Sequence, residues 1–175
     1  AKEKIDFLWV VDDSCSMASS QAAVYTAGTI FSSRLASAGL DWRVAASTTG
    51  YYPSSFDGSF RQWINTPKDM LTWFQQGNPN WFGTGGDGTE TGLQGLTSFL
   101  AQLQAPMASV KPGPVRPDAQ LQVIILSDAP DQSVETAEST VNTAKMLLQP
   151  GQRMVTHGIR CPALQNCGDS DVGPD

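Results

Sequence analysis

The sequence has few charged residues, and most of the charge it carries is acidic. Of its 175 residues, 11 are Lys or Arg and 17 are Asp or Glu, which gives a formal net charge of -6. A negatively charged protein is repelled by nucleic-acid phosphates and by anionic membrane surfaces. The composition therefore argues against nucleic acid or a membrane surface as a partner.

Long hydrophobic runs are also missing. A membrane-spanning helix needs about 18 or more apolar residues, whereas the longest run here, Phe7 to Val11, has the length of a strand. We therefore expect no membrane-spanning segment. No basic stretch precedes a long apolar one at the start, so we expect any secretory signal to have been removed. Hydrophobic residues still make up 40% of the chain, enough for the core of one domain over residues 1–175.

Cysteine is scarce as well, with only Cys15, Cys161 and Cys167. An odd number excludes a framework in which every cysteine is paired within the chain. Because Cys161 and Cys167 are close in sequence, we predict a disulfide between them, which requires an oxidising compartment outside the cytosol. Free thiols, or pairing of Cys15 with either of the others, are the alternatives.

Buried strands alternate with amphipathic helices along the chain. The run from Ile5 to Val11 is almost continuously apolar, which is typical of a strand covered on both faces. Further strands are predicted at 42–47, 60–64, 121–126 and 153–159. The main predicted helix faces are Val24, Ala27, Phe31 and Leu35, then Leu93, Leu96, Leu100 and Leu103, then Val134, Ala137, Val141, Ala144 and Leu148. This alternation predicts an α/β fold with a doubly wound, mostly parallel central sheet flanked by helices.

Polar side chains follow the predicted strands at the edge where such sheets bind ligands. The candidate residues are Asp12, Ser14, Ser16, Thr89 and Asp128. They offer oxygen and neither sulfur nor nitrogen, which suits Mg²⁺, or else Mn²⁺ or Ca²⁺, rather than zinc or copper. The set leaves a coordination position open, and we expect an acidic side chain of a protein partner to fill it.

Three segments resemble the metal loops of the von Willebrand factor type A (integrin I-like) domain, whose metal-ion-dependent adhesion site holds a divalent cation. They are residues 5–17 (IDFLWVVDDSCSM), 88–92 (GTETG) and 123–128 (VIILSD), in that order. The resemblance spans about residues 4–160, and residues 119–133 are similar to secreted or lipid-anchored bacterial members. It implies the Rossmann-like fold of that family and the five ligands named above. It also implies cation-dependent adhesion by a secreted or cell-surface protein, either alone or as a subunit of a larger surface assembly, without catalysis.

The sequence departs from the family pattern in places. Cys15 stands where a small residue is usual, and Ala129 and Pro130 follow Asp128 where glycine is commoner. The family fold ends in a further helix and strand. Residues 161–175, a cysteine-containing loop and tail, are too few and too polar to supply both. We therefore expect those elements to be missing or that edge to differ.

Loops beyond the strand ends are expected to ring the metal and to select the partner. The candidates for this ligand-binding rim are Trp81, Phe82 and Asp131, together with the loop between Cys161 and Cys167.

Two other functions compete with adhesion. One is a Mg²⁺-dependent phosphoryl-transfer enzyme using Asp12 as the acceptor; it is disfavoured because Arg43 and Lys145 are the only candidate cations and both are remote. The other is a structural subunit of an extracellular assembly, whose metal only holds loops together. A Ser-His-Asp hydrolase is also disfavoured, because the single histidine, His157, has no serine near it in sequence.

Overall fold

The computed structural model describes residues 2–49, 61–79, 81–86, 91–104 and 114–160. Within them, the strands are β1 (Lys4–Val11), β2 (Asp41–Thr48), β3 (Arg61–Ile64), β4 (Gln120–Ser127) and β5 (Met154–Arg160). The α-helices are α1 (Ala18–Ser37), α2 (Pro67–Thr72), α3 (Gly92–Gln104) and α4 (Ala137–Leu147), and a 3-10 turn at Cys15–Met17 precedes α1. None of these helices is both long and apolar enough to cross a membrane.

The strands form one five-stranded sheet in the order β3-β2-β1-β4-β5. Neighbouring strands run parallel except β3, which pairs antiparallel with β2 at one edge. The apolar strand at the start of the chain therefore lies at the centre of the sheet. The mixed α/β fold with a mostly parallel central sheet is confirmed.

Side chains of β1 alternate between two cores, one on each face of the sheet. Phe7, Trp9 and Val11 pack with residues of α1 and α2. Leu8 and Val10 pack with residues of α3 and α4. Because a strand sends successive side chains to opposite faces, a nearly continuous apolar run is what a sheet covered on both sides needs.

Two helix faces differ from the predicted ones by a few residues. In α1, Ala27 is exposed and Gly28 is buried instead. A Cβ at Gly28 would lie 2.5 Å from Leu71 Cδ2, so glycine permits the close approach of α2. In the last helix, Val134 is 95% exposed. The helix begins only after Thr136, whose side chain accepts a hydrogen bond from Ser139 N as an N-cap.

Candidate metal-binding site

Three neighbouring strands end at the same level and so bring their following loops to one edge of the sheet. Val11, the last residue of β1, lies opposite Thr48 of β2 and Leu126 of β4. Immediately beyond it, Asp12 N donates a 2.8 Å hydrogen bond to Leu126 O. The loop after β1 and the loop after β4 therefore meet at this edge, which is where parallel sheets bind ligands.

Asp12 is fully buried at this edge and is held by three neutral donors. Its Oδ1 accepts hydrogen bonds from Ser14 N at 2.9 Å and from Ser14 Oγ at 2.7 Å. Its Oδ2 accepts a 2.7 Å hydrogen bond from Ser127 Oγ. No described lysine or arginine side chain forms an ion pair with it, so nothing in that part of the chain balances its negative charge.

A chain of oxygen atoms connects Asp12 to Asp128. From Asp12 Oδ1 the chain runs to Ser14 Oγ, then to Ser16 Oγ at 3.0 Å, and then to Asp128 Oδ1 at 3.1 Å. Each serine hydroxyl brings one proton to these three contacts. If Ser14 donates to Asp12 and Ser16 donates to Asp128, the contact between the two hydroxyls holds no proton.

The structure thus brings together four of the five candidate ligands, Asp12, Ser14, Ser16 and Asp128; Thr89 lies outside the described residues. Their atoms are all oxygens, and the set contains two carboxylates, so its chemistry fits a hard divalent cation. No group of three or more His, Cys, Asp or Glu is placed to hold a metal anywhere in the described ranges, and at this edge the set has two carboxylates, with serine hydroxyls as its other oxygens.

Gln21 was not among the residues predicted from the sequence. It connects the loop after β1, which begins at Asp12, to the glycine-rich segment that begins at Gly83. Its Nε2 donates to Asp12 O at 3.2 Å and to Gly83 O at 2.9 Å, while its Oε1 accepts a 2.8 Å hydrogen bond from Trp81 Nε1. Gln21 is 1% exposed. One feature of the sequence could have indicated this role. Gln21 lies seven residues, about two helical turns, before Gly28 and so on the same face of α1. A polar side chain on a buried face needs hydrogen-bond partners.

The glycine-rich segment also packs directly on the first loop. Gly86 N donates to Asp13 O at 2.9 Å. A Cβ on Gly86 would lie 2.6 Å from Asp13 Oδ1, so any larger residue would push the segment away. Glycine at this position therefore permits the close packing of the two loops.

The two aromatic residues predicted for the rim occupy different environments. Trp81 is half-buried, and its indole N–H is held by Gln21. Phe82 is buried in the core against Trp73 and Phe74, with ring centroids 6.0 and 5.5 Å away. Phe82 therefore packs inside the protein rather than lying exposed at the rim.

Asp131, the third predicted rim residue, is exposed but already engaged. Its Oδ2 accepts a hydrogen bond from Leu93 N and its Oδ1 one from Ser133 N, both at 2.8 Å. Ser133 Oγ in turn accepts from Gln94 N at 3.0 Å. The first main-chain N–H groups of a helix have no acceptor within the helix. Asp131 and Ser133 supply acceptors for two of these groups in α3. The structure thus gives Asp131 a positioning role beside the site.

The remaining predicted features lie away from this edge or beyond the described residues. Arg43 pairs with Asp6 near the start of β1, at the end of the sheet opposite to the candidate site. Lys145 is exposed in the last turn of α4, from which the chain returns to that same end of the sheet. Cys15 is exposed next to Ser14 and Ser16. Cys161 and Cys167, with the predicted disulfide, lie outside the described residues.

No family model and no curated protein matches the chain. Among solved structures, it is similar to proximal thread matrix protein 1 from the mussel byssus, with a TM-score of 0.49 and 15% identity over 91% of this chain and 38% of that one. It is also similar to the pilus adhesin SpaC from Lactobacillus rhamnosus GG, with a TM-score of 0.46 and 20% identity over 72% of this chain and 15% of that one. The chain therefore spans less than two thirds of the length of either protein.

Proposed function

We propose that this domain binds a protein partner through a divalent cation, Mg²⁺ in the first instance, held by Asp12, Ser14, Ser16 and Asp128 with Thr89. The loop sequences that carry the resemblance to von Willebrand A domains support this reading. In this proposal the protein works outside the cell or on its surface, in adhesion, alone or as a subunit of a larger assembly.

The cluster of oxygen atoms at the site is the observation that carries the proposal. Two carboxylates and two hydroxyls lie along one chain of hydrogen-bond contacts, and no described lysine or arginine side chain pairs with Asp12. A cation among these oxygens would be held by both carboxylates, and each hydroxyl would turn a lone pair towards it. It also balances the buried charge of Asp12, which costs free energy when left unpaired.

The chain's own residues would supply an incomplete ligand set. A bound divalent cation supplies strong attraction for one further carboxylate, and the acidic side chain of a partner would provide it. Ser127 and Gln21 would keep the carboxylate and main chain of Asp12 in place while the partner binds. Such outer hydrogen bonds commonly tune metal affinity.

Calorimetry with Mg²⁺ tests the metal site. We expect one ion to bind to the wild type, and Asp128→Ala to weaken binding by at least about 10- to 100-fold, since it removes a direct ligand. Asp118→Asn is the matched control, because Asp118 is an exposed carboxylate paired with Lys4 away from the site. Equal Mg²⁺ affinity in the wild type and Asp128→Ala would contradict the metal site.

Capture of the protein by immobilised extracellular-matrix proteins tests adhesion. We expect capture in Mg²⁺, and its loss both in chelator and in Asp12→Ala. Capture that persists under both conditions would show that adhesion does not use the cation. Metal-dependent turnover of a phosphate ester would instead favour the phosphoryl-transfer alternative.

A further inference from the structure

A cavity of about 190 Å³ lies between the first half of α1 and the segment that follows α2. Its walls include Tyr25 of α1, and Phe74, Gln75, Gln76 and Trp81 of the other side. We propose that this cavity binds a single ring of a neutral saccharide. The inference concerns a site separate from the cation and does not require the adhesion function proposed above.

The aromatic part of the cavity is rigid. Trp81 donates its indole N–H to Gln21, whose amide is itself fixed by two main-chain carbonyls. Phe74 is 2% exposed and packs edge-on against Trp9 at 5.4 Å and against Phe82 at 5.5 Å between centroids, so it closes the base of the cavity. The aromatic side chains of the cavity that keep exposed surface are Tyr25 and Trp81. A side chain that is already fixed, as Trp81 is, loses little conformational freedom when a ligand binds.

The polar part of the cavity is unused by the protein. Gln75 and Gln76 are exposed and Tyr25 is half-buried. Their side-chain amides and hydroxyl make no hydrogen bond with any described residue, whereas Gln21 in the same cavity uses its whole amide. Together, two amides and a phenol offer donors and acceptors in a small volume.

The chemistry of the walls selects the class of ligand. None of the described residues that line the cavity is charged, which disfavours anions, cations and the acidic partner of the metal site. Aromatic planes suit the C–H face of a sugar ring, and the free amides and phenol suit its hydroxyls. An apolar peptide side chain would use none of those polar groups. The volume is below the roughly 300–1,000 Å³ of pockets for larger ligands, so one ring is the unit that fits.

Saturation-transfer NMR and calorimetry on the whole chain, in chelator, test the inference. The probes are the methyl glycosides of glucose, galactose, mannose and N-acetylglucosamine. We expect at least one to bind with a Kd on the order of 1 mM, the range of a weak, small site. Tyr25→Ala and the double variant Gln75→Ala/Gln76→Ala should each weaken it by about tenfold, the effect of losing one good contact.

Two further variants make the outcome specific. Tyr25→Phe keeps the ring and removes only the hydroxyl, so it should weaken binding less than Tyr25→Ala. Gln149→Ala removes an exposed glutamine beyond the end of α4 and should change nothing. The inference is overturned if no glycoside binds at about 10 mM, ten times the expected Kd. It is also overturned if binding is unchanged in the cavity variants, or if N-acetyl-tyrosinamide binds there and no glycoside does.

Discussion

Asp6 and Asp12 are both 0% exposed and lie near opposite ends of the same central strand. Asp12 is six positions after Asp6, and at about 3.3 Å per residue of extended chain this places them roughly 20 Å apart. Burial of a carboxylate is unfavourable unless its charge and its lone pairs are satisfied. The two aspartates differ in how far the protein meets this requirement.

Asp6 is satisfied entirely from within the protein. Arg43 donates two hydrogen bonds to it, at 2.9 and 2.8 Å, one to each carboxylate oxygen. Arg116 donates two more, from its Nε at 2.8 Å and from its main-chain N at 2.7 Å. Arg116 also reaches Asp41, and Arg43 lies 4.1 Å over the ring of Trp63. Two guanidinium groups thus balance one buried carboxylate and join β1, β2 and the segment before β4.

Asp12 is satisfied only in part. Its three hydrogen bonds come from neutral donors, and one of these donors, Ser14, leads through Ser16 to a second carboxylate. The contrast shows that the protein can neutralise a buried aspartate with arginine, as it does at Asp6. At Asp12 it places hydroxyls instead, which is the arrangement that leaves room for a cation from solution.

Replacing Asp6 should have the largest effect on stability. Asp6→Ala leaves two guanidinium groups without their shared carboxylate, and we expect a loss of about 3–5 kcal/mol in the free energy of unfolding, as for other broken buried ion pairs. Urea unfolding with and without Mg²⁺ measures this. The loss should be the same in both conditions, since Asp6 lies at the other edge. A loss below about 1 kcal/mol is what a solvent-exposed ion pair contributes. Such a result would contradict the conclusion that the two arginines stabilise the protein through the buried carboxylate of Asp6.

Replacing Asp12 should have a smaller effect that depends on the metal. Asp12→Asn keeps the shape of the side chain and removes its charge. The wild type should gain about 2.7 kcal/mol in Mg²⁺ at one hundred times its Kd, and the variant should gain almost nothing. In chelator the variant should be at least as stable as the wild type, because it no longer buries an unbalanced charge. Thermal unfolding of both proteins in Mg²⁺ and in chelator measures the difference. A variant that keeps the full Mg²⁺ gain would contradict the role of Asp12.

The sequence sufficed to predict the central strand, the helices on both faces and the meeting of the first and third loops. Each of these depends on periodicity over many residues or on the rule that parallel strands end at one edge. The apolar run of Phe7 to Val11 illustrates this, because such a run is typical of a strand covered on both faces, as β1 is.

Features that depend on single contacts were not predictable in the same way. Val134 continued the helical spacing, but the Thr136 cap starts the helix after it. Phe82 was close to the site in sequence, yet it turns into the core while its neighbour Trp81 bonds to Gln21. The network of Arg116 with Asp6 and Asp41 joins residues 110 and 75 positions apart in sequence, and no local pattern indicates it.

The smallest expected effect concerns acid sensitivity at the Asp6 edge. A hydrogen bond from the Arg116 guanidinium lowers the pKa of Asp41 from its ordinary value of 3.8, although burial acts in the opposite direction. A carboxyl group whose pKa is lower in the folded state contributes stability above its unfolded pKa and loses that contribution as the pH falls through the folded pKa. Wild type should therefore be slightly more stable than Asp41→Asn at neutral pH, and the difference should shrink as the pH falls below 3.8.

Urea unfolding of the two proteins between neutral pH and about pH 2.5, a range that brackets the unfolded pKa of Asp, measures this narrowing. Asp118, whose pKa is also lowered, by a hydrogen bond from Lys4, is present in both proteins, so its titration cancels in the comparison. The narrowing should be unaffected by Mg²⁺, because Asp41 lies at the start of β2, away from Asp12. A difference that stays constant down to the lowest pH would mean that Asp41 interacts with Arg116 no better in the folded protein than in the unfolded chain. The Asp6 edge would then owe its stability to the two arginines on Asp6 alone.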